Sequence, residues 1–107
     1  MIIDWTNIKG LFAPFLFVSL MVSCAGAPPL KEQAKAHIAK KYAKENGALK
    51  NSPKNYRKGL SLLQYADNLF EERVYKKSEK IYVYSRKYFE KAELRSRLVN
   101  IKKGADL

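Results

Sequence analysis

Cysteine is almost missing from this chain: one Cys, at position 24, stands among 107 residues, so no intramolecular disulfide can form. With a single His as well, there is no Cys/His cluster at metal-ligand spacing, and no metal or other cofactor is expected. The five glycines are scattered and form no phosphate-cradling loop. The carboxylates show no paired spacing with a nucleophile or base. Catalysis is therefore not expected, and His37 reads as a solvated or partly packed residue. Acidic residues are scarce too. Ten Asp and Glu face 21 Lys and Arg, a formal net charge of +11, which favours anionic partners such as nucleic acid, lipid headgroups or acidic polymers. Strand-like alternation of useful length is absent, which leaves an all-α fold. At this length one small domain is expected, burying only about 60–65% of the surface its unfolded chain exposes, with a thin core.

Long hydrophobic runs are missing as well, and the one short run is informative. From Leu11 to Val22 twelve residues are apolar or small apart from Ser19, and Ser23 and Cys24 follow. As a helix this run covers roughly 18 Å against a hydrocarbon core of about 30 Å, too short to span. Pro14 weakens a spanning helix further. The length suits the apolar region of a signal peptide, so residues 1–23 are read as a targeting segment outside the fold.

The end of that run has a specific look. "MVSC" resembles a bacterial lipobox, in which a small residue precedes a Cys that is thioether-linked to diacylglycerol, cleaved on its N-terminal side and often acylated again on the new amine. Cys24 takes the place of that Cys and Ser23 that of the small residue, with cleavage between them. The resemblance implies a membrane anchor at Cys24, and two or three acyl chains hold far more firmly than one. It also implies a cell-envelope location. Ala25 after the Cys, in place of Asp, fits the rule for transfer to the periplasmic face of the outer membrane in a Gram-negative host.

Punctuation organises the rest. "AGAPP", with no charge and no helical signal, reads as a short tether over residues 24–29, followed by a helical domain over 30–107. A first helix is predicted over about 30–46, with Glu32 in its first turn and Gly47 just past its end. "NSP" restarts the chain, Ser52 capping free amides and Pro53 taking the first helical position, for a second helix over 53–70. "EERV" is a weaker break, and a third helix is predicted over 75–102.

In the third helix Tyr75, Ser78, Tyr82, Ser85, Phe89 and Ala92 recur at steps of three and four, large and small by turns, which suits close antiparallel packing. The second helix spreads Tyr56, Gly59, Leu60, Leu62, Leu63, Ala66, Leu69 and Phe70 over about half its circumference and is read as the middle helix. The first offers Leu30, Ala34, Ile38 and Tyr42 at steps of four, so weak docking is expected of it.

The stretch from Gly47 to Glu93 resembles the alanine-rich helical domain of Gram-negative envelope lipoproteins. In that pattern Ala-Pro opens a helix and a Tyr introduces the next, with small residues every seven. Ser52-Pro53, Gly59 and Ala66, Tyr75, and Ser78, Ser85 and Ala92 hold those places. The same stretch is similar to a tetratricopeptide hairpin at Ala66, Tyr75, Ser78, Tyr82 and Ser85. The resemblance implies a helical hairpin adapted to contacting other molecules, with no activity attached.

Two surface features remain. Lys76, Lys77, Lys80, Tyr84, Lys87, Lys91 and Arg95 project opposite the Tyr82/Phe89 stripe, with Glu79, Glu90 and Glu93 to one side. That face is either plain solvated surface or a contact for envelope anions: lipid phosphates, lipopolysaccharide or wall polymer. Nucleic acid would suit this charge in a cytoplasmic chain, and export argues against it. Leu94, Leu98 and Ile101 project about 150° from the Tyr82/Phe89 face. They require a bend, cover from the first helix, or a docked partner. The expectation is a lipid-anchored envelope protein acting as a non-enzymatic adaptor or structural module, with direct binding of anionic envelope components as the alternative. A membrane-active peptide is disfavoured by the ordered helix signals.

Overall fold

The computed structural model describes residues 26–105. Four helices follow in order: α1 (Leu30–Glu45), α2 (Ala48–Asn51), α3 (Pro53–Glu71) and α4 (Tyr75–Ala105). Among the described residues there is no strand. The fold is all-α, as its sequence patterning predicts.

Local chemistry sets the boundaries. Glu32 lies in the first turn of α1, where an anion meets the positive end of the helix dipole, and Lys44 in its last turn. Gly47, with φ 77°, takes the left-handed conformation that stops α1, and its N–H donates to the Lys44 carbonyl. The turn of helix at α2 is not anticipated by the sequence pattern. It lets Ala48 bury completely before Pro53 opens α3 at its first position. Ser52 does not cap α3 with its side chain as predicted. Its buried hydroxyl instead accepts a hydrogen bond from Asn55 Nδ2 at 3.2 Å. The break between α3 and α4 is tight. Arg73 adopts φ 63°, a conformation that costs a non-glycine residue about 1 kcal/mol. Its N–H reaches the Phe70 carbonyl while that of Val74 reaches Leu69, satisfying two carbonyls at the end of α3.

The predicted face of α4 is the core. Ser78, Tyr82, Ser85, Phe89 and Ala92 are all fully buried, and Ser96 extends the row by one more turn. The α3 and α4 helices run antiparallel: Ser78 Oγ donates to the Ala66 carbonyl at 3.0 Å, Ser85 Oγ to the Gly59 carbonyl at 2.8 Å, and Tyr56 meets Phe89 edge to face at 5.6 Å. After the rings of Tyr82 and Phe89, the largest fully buried side chains are serines. Backbones therefore approach closely. A Cβ on Gly59 would lie 2.8 Å from the Phe89 ring, so only glycine fits.

Two packing expectations are corrected. The middle helix is α4, not the second predicted helix, because α1 and α3 both pack along α4 and touch each other much less. Nor is α1 weakly docked. Leu30, Ala34, Ile38 and Tyr42 are exposed, and the face that packs is the small one, Ala36, Ala39 and Ala43. Alanines on a helix let it sit close to its neighbour, where bulkier side chains would hold the axes apart. Gln33 lies beside Tyr82 and Asn46 beside Asn100, so α1 runs parallel to α4. Asn100 clamps the corner, donating to the Asn46 carbonyl at 3.2 Å and accepting from Asn51 Nδ2 at 3.3 Å.

Candidate functional site

Cys24 and Ser23, the predicted lipidation and cleavage residues, lie outside the described residues. The other predicted site residues are all placed on α4. With 3.6 residues per turn, burying the Ser78–Ser96 row turns the opposite side outward. Lys76, Lys77, Lys80, Tyr84, Lys87, Lys91 and Arg95 are exposed there, as their projection predicts. Leu94, Leu98 and Ile101 are 60%, 58% and 67% exposed. The α4 helix does not break beneath them, and α1 does not reach round to cover them.

Charge is sorted between the faces. Apart from His37 with Asp67 between α1 and α3, the ion pairs among the described residues collect near the α1/α4 seam: Glu32 with Lys35 and Arg86 at 3.7 and 3.8 Å, Arg86 with Glu90 at 3.5 Å, and Glu93 with Arg97 at 2.7 Å. None of them reaches Lys76, Lys77, Lys80, Lys87, Lys91 or Arg95. Several of these cations sit over tyrosine rings instead: Lys87 lies 5.6 Å from the Tyr84 centroid, Lys91 5.3 Å from Tyr88, and Lys77 5.5 Å from Tyr65. Tyr65 also holds the Lys77 ammonium above its ordinary pKa, chiefly through a hydrogen bond. Such pairings keep ammonium groups extended along the helix surface.

A polar cluster that sequence reasoning missed joins the three long helices. Tyr82 donates its phenolic hydrogen to Asp67, Gln33 Nε2 donates to the Tyr82 oxygen at 3.1 Å, and His37 Nε2 lies 3.3 Å from Asp67 Oδ2. Burial pushes the Tyr82 pKa well up, and the Asp67 hydrogen bond and charge add to the rise. The phenol stays protonated at neutral pH, so it serves as a fixed donor. The bonded partners lie 15 to 49 positions apart in the chain, and no local motif connects them. His37 is exposed, with Asp67 as its partner, in keeping with a partly packed role.

Among the described residues no group of three or more His, Cys, Asp or Glu is placed to hold a metal ion, and no helix is long and apolar enough to cross a membrane. No protein-family model matches the chain, and neither the curated proteins nor the solved structures contain a match.

Proposed function

We propose that the chain is a lipid-anchored lipoprotein of the cell envelope, working without catalysis as an adaptor or structural module. The observation that carries this reading is in the sequence: the only cysteine closes a twelve-residue apolar run, after a small residue and before an uncharged tether. The fold agrees with such a role. Packing of α1 and α3 onto one side of α4 leaves the other side accessible along its length. The test is direct. Mature protein purified from bacterial envelopes should carry an acyl mass on residue 24, and Cys24→Ser should abolish lipid labelling and leave an unprocessed precursor. Mature wild-type protein without acyl mass on that residue would end the reading.

A second reading is favoured by the charge sorting. Six exposed cations of α4, Lys76, Lys77, Lys80, Lys87, Lys91 and Arg95, lie outside the ion pairs of the α1/α4 seam and suit contact with an anionic envelope component. Its mark is salt dependence. Binding should weaken between low and physiological ionic strength, as the Debye length falls from about 30 Å at 0.01 M to about 8 Å.

A further inference from the structure

Two surface features that look separate in the sequence are one feature on α4. Lys76, Lys80, Lys87 and Lys91 continue into Leu94, Leu98 and Ile101 at steps of four, seven, four, three, four and three residues, which is one stripe of a single unbroken helix. All of these residues are exposed. The stripe changes from cationic to apolar along its length. Glu79, Glu90 and Glu93 lie beside it, and the latter two are engaged by Arg86 and Arg97. Arg95, Lys102 and Lys103 surround the apolar end, also exposed.

A soluble acidic polymer would satisfy the lysines and leave Leu94, Leu98 and Ile101 in water. A plain apolar groove would do the reverse. An anionic bilayer surface offers phosphates and, within about 5–10 Å below them, the apolar boundary of the acyl chains. Tyr84, half exposed beneath Lys87, suits the same zone. We propose that this stripe is a membrane-surface contact, with α4 lying in the membrane plane, its lysines on lipid phosphates and Leu94, Leu98 and Ile101 in the interface. Docking needs no rearrangement, because α1 and α3 pack on the far side. The inference rests on the anion-contact reading of this face and is independent of the anchor at Cys24.

Tryptophan fluorescence tests it. The full chain carrying Trp5→Phe and Leu98→Trp is reconstituted into phosphatidylcholine vesicles with or without phosphatidylglycerol, using brominated acyl chains as quenchers. Leu98→Trp should shift to the blue and be quenched in the anionic vesicles alone, while Ser61→Trp, on the exposed side of α3, should not. Ile101→Trp reads the same stripe should Leu98→Trp disturb the helix. Adding Lys80→Gln, Lys87→Gln and Lys91→Gln should lower the docking equilibrium roughly a hundredfold and return quenching to the Ser61→Trp level. Equal quenching at Leu98→Trp and Ser61→Trp, or quenching indifferent to the lysine changes, overturns the proposal. So does the absence of quenching, and a polygalacturonate arm then separates two failures. Salt-sensitive, lysine-dependent binding to that polymer leaves anion contact standing without the membrane, whereas no such binding removes both.

Discussion

On one side of α4, Ser78, Tyr82, Ser85, Phe89, Ala92 and Ser96 have no solvent exposure at all, while on the other Lys80, Lys87, Lys91 and Leu98, drawn from the same stretch of chain, lie in water. The buried side is governed by size. Serines and a glycine let two backbones close around two aromatic rings, and a single added methyl at residue 59 meets Phe89. The exposed side is governed by charge and obeys no packing rule. Its like-charged neighbours at four-residue steps, such as Lys76 with Lys80 and Lys87 with Lys91, disfavour an isolated helix by roughly 0.2–0.5 kcal/mol each. A fold stabilised mainly by one side can carry a sequence on the other that folding alone would not select.

The sharpest way to break this contrast is to enlarge the small residues. Ser85→Trp should overpack the α3/α4 seam by roughly 1–3 kcal/mol or more. Gly59→Ala should also destabilise, although alanine is the better helix former by about 1 kcal/mol. Thermal denaturation of both variants checks this, and an unchanged melting temperature for Ser85→Trp would show that the face is assigned wrongly.

An effect no larger than the upper end of that range is expected at the polar cluster. Tyr82→Phe removes the hydrogen donated to the Asp67 carboxylate and should cost about 1.5–3 kcal/mol at neutral pH. Its pH dependence has a definite sign. The Tyr82 pKa is raised in the fold, so the stabilisation is fully present below the unfolded value near 10 and is lost as pH rises above it. The loss should approach about 1.4 kcal/mol per pH unit relative to Tyr82→Phe, as urea denaturation at a series of alkaline pH values would record. Parallel curves for the two proteins would contradict it.

The smallest effect belongs to the exposed side. Lys80→Gln, Lys87→Gln and Lys91→Gln together should leave the melting temperature unchanged or slightly raised, by at most about 1 kcal/mol of relieved repulsion. A clear loss of stability would mean that these cations support the fold after all.

Much of this architecture is legible in the sequence where bulky side chains mark it. Tyr82 and Phe89, seven apart with small residues between, identify the packed face of α4, and Pro53 and Gly47 mark two helix ends. The same habit misleads on α1. Leu30, Ile38 and Tyr42 draw the eye to one face, whereas Ala36, Ala39 and Ala43 pack, because alanine is nearly silent in hydropathy while permitting close approach. The identity of the middle helix fails for the same reason. The Asp67–Tyr82–Gln33 cluster and the Asn100 clamp are illegible for another: their members are distant in sequence and meet only once three helices are assembled. On the candidate site, the exposed positions of α4 follow from helical projection alone. That the cationic and apolar residues form one stripe needs the unbroken helix.

The parallel course of α1 and α4 also has a mechanical side. Tension drawn from the chain ahead of Leu30 enters the fold one turn from Glu32 and Gln33, the residues that hold the start of α1 to Arg86 and Tyr82. Pulled along the helix axis, the whole row of Ala36, Ala39 and Ala43 must slide at once, and the domain resists as a sheared joint. Pulled across it, α1 peels away one turn at a time, beginning at the polar cluster, and yields at much lower force.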